Sequence, residues 1–291
     1  MARILITGAS SGIGLATALE LARAGHRVFA TMRNPERSEL AEISAREHLP
    51  IEIRTLDVDS DESVRNCFAS VAEPLDVLVN NAGVEKHGSV EDLPMEAFVA
   101  TMNTNYLGAV RCIKAVLPSM RQARTGCIIN VTSVAGKVAS SPLGAYAASK
   151  FALEAISEAL AGEVKAFNIR VAIVEPGIQD TKMARGMENP SPSSYPQIAR
   201  FAGLFRAALE NPVSPAVTAV VIRRIIESGT SQLRHLSGPD AAAFVNWRAA
   251  MSDEQWVECS AQGDDAWYEQ IQRDFGLNAR GDKRAAPDGV L

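Results

Sequence analysis

The chain alternates between short apolar runs and longer segments that carry apolar residues at helical spacing. The runs predict strands and the segments between them predict helices. The predicted strands are Arg3–Thr7, Arg27–Thr31, Ile51–Val58, Leu75–Val79, Cys127–Thr132 and Ile169–Glu175. The predicted helices are Gly12–Ala24, a polar helix from about Pro35, Asp61–Val71, a long helix from Pro94 to about Gln122, and Ala145–Ala166. Strands that alternate with helices in this way form right-handed βαβ units, so we expect an α/β fold with a doubly wound parallel sheet and helices on both faces.

The pattern changes after Pro176. Residues 189–215 hold Pro190, Pro192, Pro196, Pro212 and Pro215, five of the fourteen prolines, so this stretch is not one continuous helix. A helix is predicted at Val213–Ser228, a last strand at Ser231–Leu236, and short helices in the tail from Pro239, which carries all three tryptophans. The final dozen residues are polar and are expected to be frayed.

Composition and charge exclude several classes of protein. Hydrophobic residues make up 47% and charged residues 22% of the 291 residues, which is ordinary globular usage and argues against disorder, collagen and coiled coils. The net charge of -5, without a block of basic residues, argues against a nucleic-acid partner. No apolar run approaches the roughly 18 residues that span a bilayer, and the first ten residues lack the features of a signal peptide. We therefore expect a soluble cytoplasmic protein.

The cysteines and histidines are dispersed along the chain, with no CxxC pair. They are Cys67, Cys112, Cys127 and Cys259, and His26, His48, His87 and His235. A structural zinc site needs clustered ligands, and disulfide frameworks belong to small secreted chains. We expect neither a metal site nor a disulfide.

A glycine-rich loop lies between the first predicted strand and its helix. Thr7–Gly14 reads TGASSGIG. Gly8 permits a tight turn, Gly12 lets the backbone approach a pyrophosphate, and Gly14 lets the helix pack closely on the strand. The phosphates would then lie on the free N–H groups at the positive end of the helix. In this strand–loop–helix setting the glycine spacing predicts a dinucleotide site of the Rossmann type.

Four motifs together resemble the short-chain dehydrogenase/reductase family. They are TGASSGIG, NNAG at Asn80–Gly83, Ser133, and YAASK at Tyr146–Lys150. The resemblance covers roughly residues 2–182, and MRN after the second strand with YAASKFALE resembles the hydroxysteroid and retinol dehydrogenase-like members. It implies an oxidoreductase that acts on CH–OH groups with NAD(P). On this basis residues 1–291 form a single domain, in which 1–182 are the cofactor and catalytic core, 183–212 a substrate loop, and 239–291 a C-terminal helical extension.

The end of the second strand bears on the choice of cofactor. An acidic residue there would bind the ribose hydroxyls of NAD and repel a 2′-phosphate. This chain has Thr31-Met32-Arg33 instead, and the planar fork of Arg33 suits a phosphate. NADP(H) is therefore favoured, with a hydroxyl contact from Ser10. NAD(H) stays open, because Arg33 is also consistent with a solvated loop arginine.

The family resemblance implies further dinucleotide contacts at the carboxyl ends of the strands. They are Ser11, Ile13, Asp57, Val58, Asn81, Ala82, Gly83, Pro176, Gly177, Ile178 and Thr181. By this resemblance Asp57 and Val58 flank the adenine. The Ile178 backbone would face the nicotinamide carboxamide, and the Thr181 hydroxyl would face the carboxamide or a phosphate.

Tyr146 and Lys150 are four residues apart on a predicted helix, so their side chains share a face. A tyrosine near pKa 10 is a poor acid–base catalyst at pH 7. Two charges about 5 Å apart at an effective dielectric near 20 interact by roughly 3 kcal/mol, which corresponds to about two pKa units. We therefore expect Lys150, aided by the positive nicotinamide of the oxidised cofactor, to bring the pKa of Tyr146 towards the working range. The resemblance implies that Tyr146 exchanges the proton of the substrate oxygen, that Ser133 binds the same oxygen, that Lys150 also holds the ribose, and that Asn105 anchors a relay water.

The substrate is not encoded in any of these motifs. Candidate walls of its pocket are mostly apolar and include Val134, Lys137, Val138, Leu143, Gly144, the Val84–His87 stretch and the segment from Met183 to Phe205. Such walls suit a hydrophobic alcohol or ketone. The sequence leaves open a dinucleotide sensor without turnover and a structural role. By the same resemblance we expect a homodimer or homotetramer built on the helices that contain Asn103–Leu117 and Ala147–Glu163, the alternative being a monomer.

Overall fold

The computed structural model describes residues 1–281, and within them seven parallel strands form one sheet. Their order across the sheet is β3-β2-β1-β4-β5-β6-β7. The strands are β1 (Arg3–Thr7), β2 (Arg27–Met32), β3 (Ile51–Thr55), β4 (Val77–Asn80), β5 (Gly126–Val131), β6 (Ile169–Pro176) and β7 (Arg234–Ser237). The predicted parallel α/β sheet is confirmed. The predicted fraying of the final dozen residues falls almost entirely outside the described part of the chain.

Helices cover both faces of the sheet. In chain order they are α1 (Gly12–Arg23), α2 (Leu40–Glu47), α3 (Asp61–Ala69), α4 (Met95–Met102), α5 (Gly108–Ala123), α6 (Gly144–Val164), α7 (Lys182–Gly186), α8 (Pro196–Glu210), α9 (Ala216–Ser228), α10 (Ala241–Ala249), α11 (Asp253–Ala261) and α12 (Asp264–Phe275). Along β1, Ile4 and Ile6 pack with α1, α2 and α9, whereas Leu5 packs with α3, α5 and α6. Both faces are buried, and for that reason the strands read as continuous apolar runs.

The long helix predicted from Pro94 to Gln122 is present but interrupted. A π-helical turn, Asn103–Leu107, separates α4 from α5 and places Asn105 in the interior. Such turns insert an extra residue into a helix and often lie at functional sites. Here the turn redirects one polar side chain from the helix into the space beneath the carboxyl ends of the strands.

The segment predicted as a substrate loop is largely helical. Residues 183–212 contain most of α7 and all of α8, and α8 begins with Pro196 in its first turn, where a proline costs no hydrogen bond. The C-terminal extension, α10 to α12, packs against α8 through Phe244 and Ile271. These helices form a roof over the carboxyl ends of β5 and β6. Within residues 1–281 no helix is both long and apolar enough to cross a bilayer.

Candidate active site

The glycine loop links β1 to the start of α1. Gly8 and Gly12 have φ values of +70° and +56°, a region that side chains rarely adopt. A Cβ on Gly8 would lie 2.7 Å from Cα of Ala82, and one on Gly14 would lie 2.3 Å from the carbonyl oxygen of Gly8. Close packing therefore requires glycine at these positions, as the spacing predicts.

Asn81 fastens this loop to the end of β4. Its Nδ2 donates to the carbonyl oxygens of Thr7 and Gly8, at 3.0 and 3.1 Å. The Thr7 hydroxyl in turn accepts hydrogen bonds from the backbone N–H groups of Asn81 and Ala82, both at 3.0 Å. The NNAG motif thus joins two neighbouring strands at the edge where the cleft opens.

One cleft runs along the carboxyl ends of the strands and brings most of the predicted cofactor residues together. Its walls include Gly8, Ser10, Ser11, Gly12, Ile13, Arg33, Asp57, Val58, Asn81, Ala82, Gly83, Tyr146, Lys150 and Thr181. Pro176, Gly177 and Ile178 instead line an adjoining cavity. Arg37 and Lys182 also line the cleft, and the sequence analysis missed both. Arg37 lies in a short 3-10 helix, Pro35–Arg37, so two arginines follow β2 on the same wall.

The predicted catalytic residues converge where β5 meets α6. Tyr146 and Lys150 are buried on α6, and Lys150 Nζ lies 5.6 Å from the centre of the Tyr146 ring. Lys150 Nζ donates to the carbonyl oxygen of Val131 at 3.0 Å, which fixes the ammonium at the end of β5. Ser133 precedes a 3-10 turn, and its hydroxyl accepts the backbone N–H of Ala135 at 3.1 Å.

Asn105 reaches the same region from the π-helical turn. Its side-chain oxygen accepts from the backbone N–H of Val84 at 2.8 Å, and its Nδ2 donates to the Val84 carbonyl at 2.9 Å and to the Ser149 hydroxyl at 2.9 Å. The Asn105 side chain therefore links the segment that follows NNAG, at Val84, to Ser149 on α6.

Burial dominates the protonation of the tyrosine and the lysine. Desolvation raises the pKa of Tyr146 well above its ordinary value, although the Ser133 hydroxyl acts in the opposite direction. Desolvation also lowers the pKa of Lys150 to about 8, while the nearby Glu154 carboxylate opposes that change. The expected lowering of the Tyr146 pKa by Lys150 together with a positive nicotinamide stays a prediction.

An apolar cavity adjoins the cleft at Tyr146. Besides Ser133 and Tyr146, it is lined by residues from the segment before α6, from α7 and its end, and from the roof; they are Val134, Val138, Leu143, Met183, Ala184, Met187, Phe201, Leu204, Phe205 and Phe244. Phe244 and Gln179 were not predicted. Lys137, Gly144 and the Val84–His87 stretch, which were predicted as walls, are not among its lining residues. Glu85 is instead turned inward and pairs with His87 at 3.1 Å, so this patch is not simply solvated.

The turn after β6 is braced by a carboxylate from the C-terminal part of the chain. Asp240 accepts the backbone N–H of Ile178 at 2.8 Å, and the N–H of Gly177 donates to the Ser237 carbonyl at 2.9 Å. The Ile178 backbone was predicted to contact the cofactor, and its N–H is already bound to Asp240. The Thr181 hydroxyl caps α7 by accepting the N–H of Ala184 at 3.1 Å. Sequence spacing gave no sign of Asp240, because it is distant in the chain.

Comparison with known proteins identifies the family. The short chain dehydrogenase family model matches residues 2–191. The chain belongs to the short-chain dehydrogenase/reductase family. Human retinol dehydrogenase 8 is 45% identical to this short-chain dehydrogenase/reductase over 179 residues, which are 60% of this chain and 58% of the human protein. The matched part thus spans less than two thirds of that relative.

Solved structures of the family share the fold of this dehydrogenase/reductase. A short-chain dehydrogenase from Streptomyces avermitilis superposes with a TM-score of 0.75 at 30% identity, over 94% of this chain and 98% of that one. A short-chain dehydrogenase from Burkholderia cenocepacia, solved in complex with NADP, gives a TM-score of 0.71 at 25% identity, over 90% and 98% of the two chains. The protein is an enzyme of the short-chain dehydrogenase/reductase type, whose fold binds a nicotinamide dinucleotide.

The residues present fit a dinucleotide. The cleft extends from Arg33 and Asp57 at one end to Tyr146 and Lys150 at the other. At Gly12 a Cβ would approach the Thr181 side chain to 3.2 Å, so a side chain there would narrow the cleft where the helix begins. Within the described residues, no cluster of three His, Cys, Asp or Glu side chains is placed to hold a metal ion.

Proposed function

We propose that the protein is an NADP(H)-dependent oxidoreductase that interconverts a hydrophobic secondary alcohol and its ketone, or reduces an aldehyde. This proposal rests on the position of Tyr146, which lines both the polar cleft and the apolar cavity. The polar cleft and the apolar cavity share Ile13, Thr132, Tyr146, Thr181 and Met183 in their walls. A cofactor in the first and an apolar substrate in the second would therefore touch at the buried phenol.

In this proposal Tyr146 and Ser133 both act on the oxygen atom of the reacting carbonyl or alcohol. The nicotinamide supplies or accepts the hydride. The Tyr146 hydroxyl gives its proton to the carbonyl oxygen in reduction and takes the hydroxyl proton in oxidation. The Ser133 hydroxyl donates to the same oxygen and orients it.

Lys150 has two parts in the proposed mechanism. Its ammonium is anchored on the Val131 carbonyl, close to the Tyr146 ring, and would also donate to the ribose hydroxyls. With a pKa of about 8 it is largely charged at pH 7. That charge stabilises the phenolate form of Tyr146, and a positive nicotinamide ring on the other side would add to it. Asn105 would anchor the relay water. Its side chain also fixes Val84 beside the site through two hydrogen bonds.

The preference for NADP(H) rests on the two arginines after β2. Arg33 and Arg37 line the cleft together with Ser10, and no carboxylate stands at Met32. A 2′-phosphate would meet two guanidinium groups there, each suited to bidentate contacts with phosphate oxygens. NADP in the related Burkholderia structure supports the same assignment.

The proposal includes an assembly of identical subunits. Val90, Met95, Val99, Leu107 and Phe151 are large apolar side chains that are at least 40% exposed. Met95 and Val99 lie on α4, Leu107 on the turn that follows it and Phe151 on α6. Leu107 and Phe151 fall within the ranges predicted to form an interface, Asn103–Leu117 and Ala147–Glu163. Contiguous exposed apolar side chains are typical of protein contacts, so we propose that a second copy covers this surface as a two-fold dimer.

A panel of ketones, aldehydes and secondary alcohols, followed at the nicotinamide absorbance, tests the function. Hydrophobic members should be turned over with NADPH or NADP, and small polar members should react poorly. Tyr195→Phe serves as a control, since Tyr195 is an exposed tyrosine away from the cleft. An enzyme that turns over no member of a broad panel while binding NADPH would instead be a dinucleotide sensor.

A further inference from the structure

A second, smaller cavity lies beyond the apolar cavity, inside the C-terminal helices. We call it the distal chamber, and its walls include Gln197 and Arg200 of α8 together with Trp247, Trp256 and Trp267. Four residues line both cavities: Ser140, Phe201, Leu204 and Phe244. The distal chamber is therefore separated from the apolar cavity only by a shared wall of side chains.

The distal chamber is built differently from the apolar cavity. Its aromatic side chains are held by edge-to-face contacts, with the Trp247 ring 5.0 Å from that of Trp256 and 5.2 Å from that of Phe275. The Trp256 N–H is used, because it donates to the Ala139 carbonyl at 3.2 Å. These contacts pack aromatic rings around the chamber.

Unmatched polar groups belong to the residues that line the chamber. The Trp247 N–H is buried and has no acceptor among the described residues, and the Gln197 side-chain oxygen is buried and has no donor there. Burying such groups without partners is costly, and proteins seldom do so without a reason. One is a donor and the other an acceptor, and a ligand hydroxyl group can act in either role.

Arg200 adds a positive charge to the same wall. It is 4% exposed, while its ion-pair partner Asp264, 2.7 Å from Arg200 Nε, has a side chain that is 61% exposed. The negative partner thus faces solvent, and the guanidinium faces the interior. A ligand oxygen that accepts hydrogen bonds is favoured beside it.

We propose that the distal chamber is the far end of the substrate site and binds a second hydroxyl of an elongated apolar hydroxyketone. This proposal rests on the proposed function, since the reacting carbonyl would lie at Tyr146 and Ser133. The apolar body would pass between Phe201, Leu204 and Phe244. The chamber measures about 50 Å³, and one water needs roughly 10–15 Å³ on the same scale. It has room for a hydroxyl-bearing end but not for a ring system.

The substrate test uses two series of 2-alkanones of increasing chain length, one unsubstituted and one with a hydroxyl on the last carbon. For short chains kcat/KM should be the same or lower with the hydroxyl. Once the chain reaches the chamber, the hydroxylated ketone should be preferred by about tenfold, the effect of one net hydrogen bond. No preference at any chain length would overturn the proposal.

Two variants separate recognition from packing. Trp247→Phe removes the unpaired N–H and keeps an aromatic ring, so it should lower kcat/KM for the long hydroxylated ketones by more than for their unsubstituted partners and abolish most of the preference. Trp256→Phe is the matched control, since its N–H is already bound to Ala139, and it should keep the preference. Equal losses for both series in Trp247→Phe would mean that the residue only packs the roof.

Ligand binding can be followed without catalysis. Trp247, Trp256 and Trp267 are the only tryptophans in the chain, and all three line the chamber. Intrinsic fluorescence therefore reports on this chamber. Long hydroxyketones should change the emission at lower concentration than their unsubstituted partners, with NADP present. If no ketone is turned over but this difference is seen, the proposed reaction is wrong and the proposed hydroxyl binding in the distal chamber is supported. If both series titrate equally, the proposed hydroxyl binding is wrong.

Discussion

Glu175 offers a quantitative test of the electrostatics beneath the site. It is the penultimate residue of β6, directly before the Pro176–Gly177 turn, and it is 2% exposed. Burial, reinforced by the neighbouring Glu154 carboxylate, raises the pKa of Glu175 to about 7, although Arg234 lies 3.5 Å away and opposes the rise. The protein thus holds a carboxyl group that resists ionisation at the base of the site.

The raised pKa of Glu175 determines how the free energy of unfolding changes with pH. Because the folded pKa lies above the unfolded value of 4.5, the contribution of Glu175 to stability is fully present below pH 4.5 and is lost as pH rises through about 7. At 1.36 kcal/mol per pKa unit, the loss between pH 5 and pH 8.5 is about 2.5 kcal/mol. Glu175→Gln, which cannot ionise, should escape this loss.

Urea unfolding at pH 5 and pH 8.5 measures the effect. The variant should gain stability over the unmodified protein by about 2.5 kcal/mol more at pH 8.5 than at pH 5. Glu158→Gln is the matched control, because Glu158 pairs with the same Arg234 but its side chain is 53% exposed. The raised pKa of Glu175 would be wrong if the difference in unfolding free energy between Glu175→Gln and the unmodified protein were the same at both pH values. It would also be wrong if the variant lost stability relative to the unmodified protein on going from pH 5 to pH 8.5.

Other predictions follow from the cleft and the exposed surface. Arg33→Ala should weaken NADPH binding about ten- to a hundredfold and leave NADH binding nearly unchanged, measured by titration calorimetry; equal binding of both cofactors by the unmodified protein would contradict the assignment. Arg37→Ala should act in the same direction, and Met32→Asp should improve NADH relative to NADPH. Val99→Glu should convert a dimer to a monomer in light scattering; a 31.1 kDa particle for the unmodified protein at micromolar concentration would remove the proposed interface.

The sheet and the glycine loop were predictable because their causes are local. Strands buried on both faces read as unbroken apolar runs, and Ile4, Leu5 and Ile6 do so. The crowding at Gly8 and Gly14 follows from the strand–loop–helix turn itself. The spacing of Tyr146 and Lys150 on one helix face is likewise a local property.

The parts that escaped prediction depend on distant packing. Arg37 contributes to the cleft because a short 3-10 helix turns it back towards β2, and Asp240 reaches Ile178 from the far end of the chain. Phe244 joins the pocket only when the C-terminal helices fold over it. Desolvation, the largest influence on the Tyr146 pKa in the folded protein, depends on burial and is absent from pairwise Coulomb arithmetic with Lys150.

In the proposed mechanism Tyr146 exchanges the proton of the substrate oxygen. The most direct measurement is the turnover of a ketone that the enzyme accepts, with NADPH, by the unmodified protein and by Tyr146→Phe, alongside NADPH affinity. Tyr146→Phe should lose at least about a hundredfold in kcat, while its affinity for NADPH stays nearly unchanged. A Tyr146→Phe enzyme with near-normal kcat would contradict it.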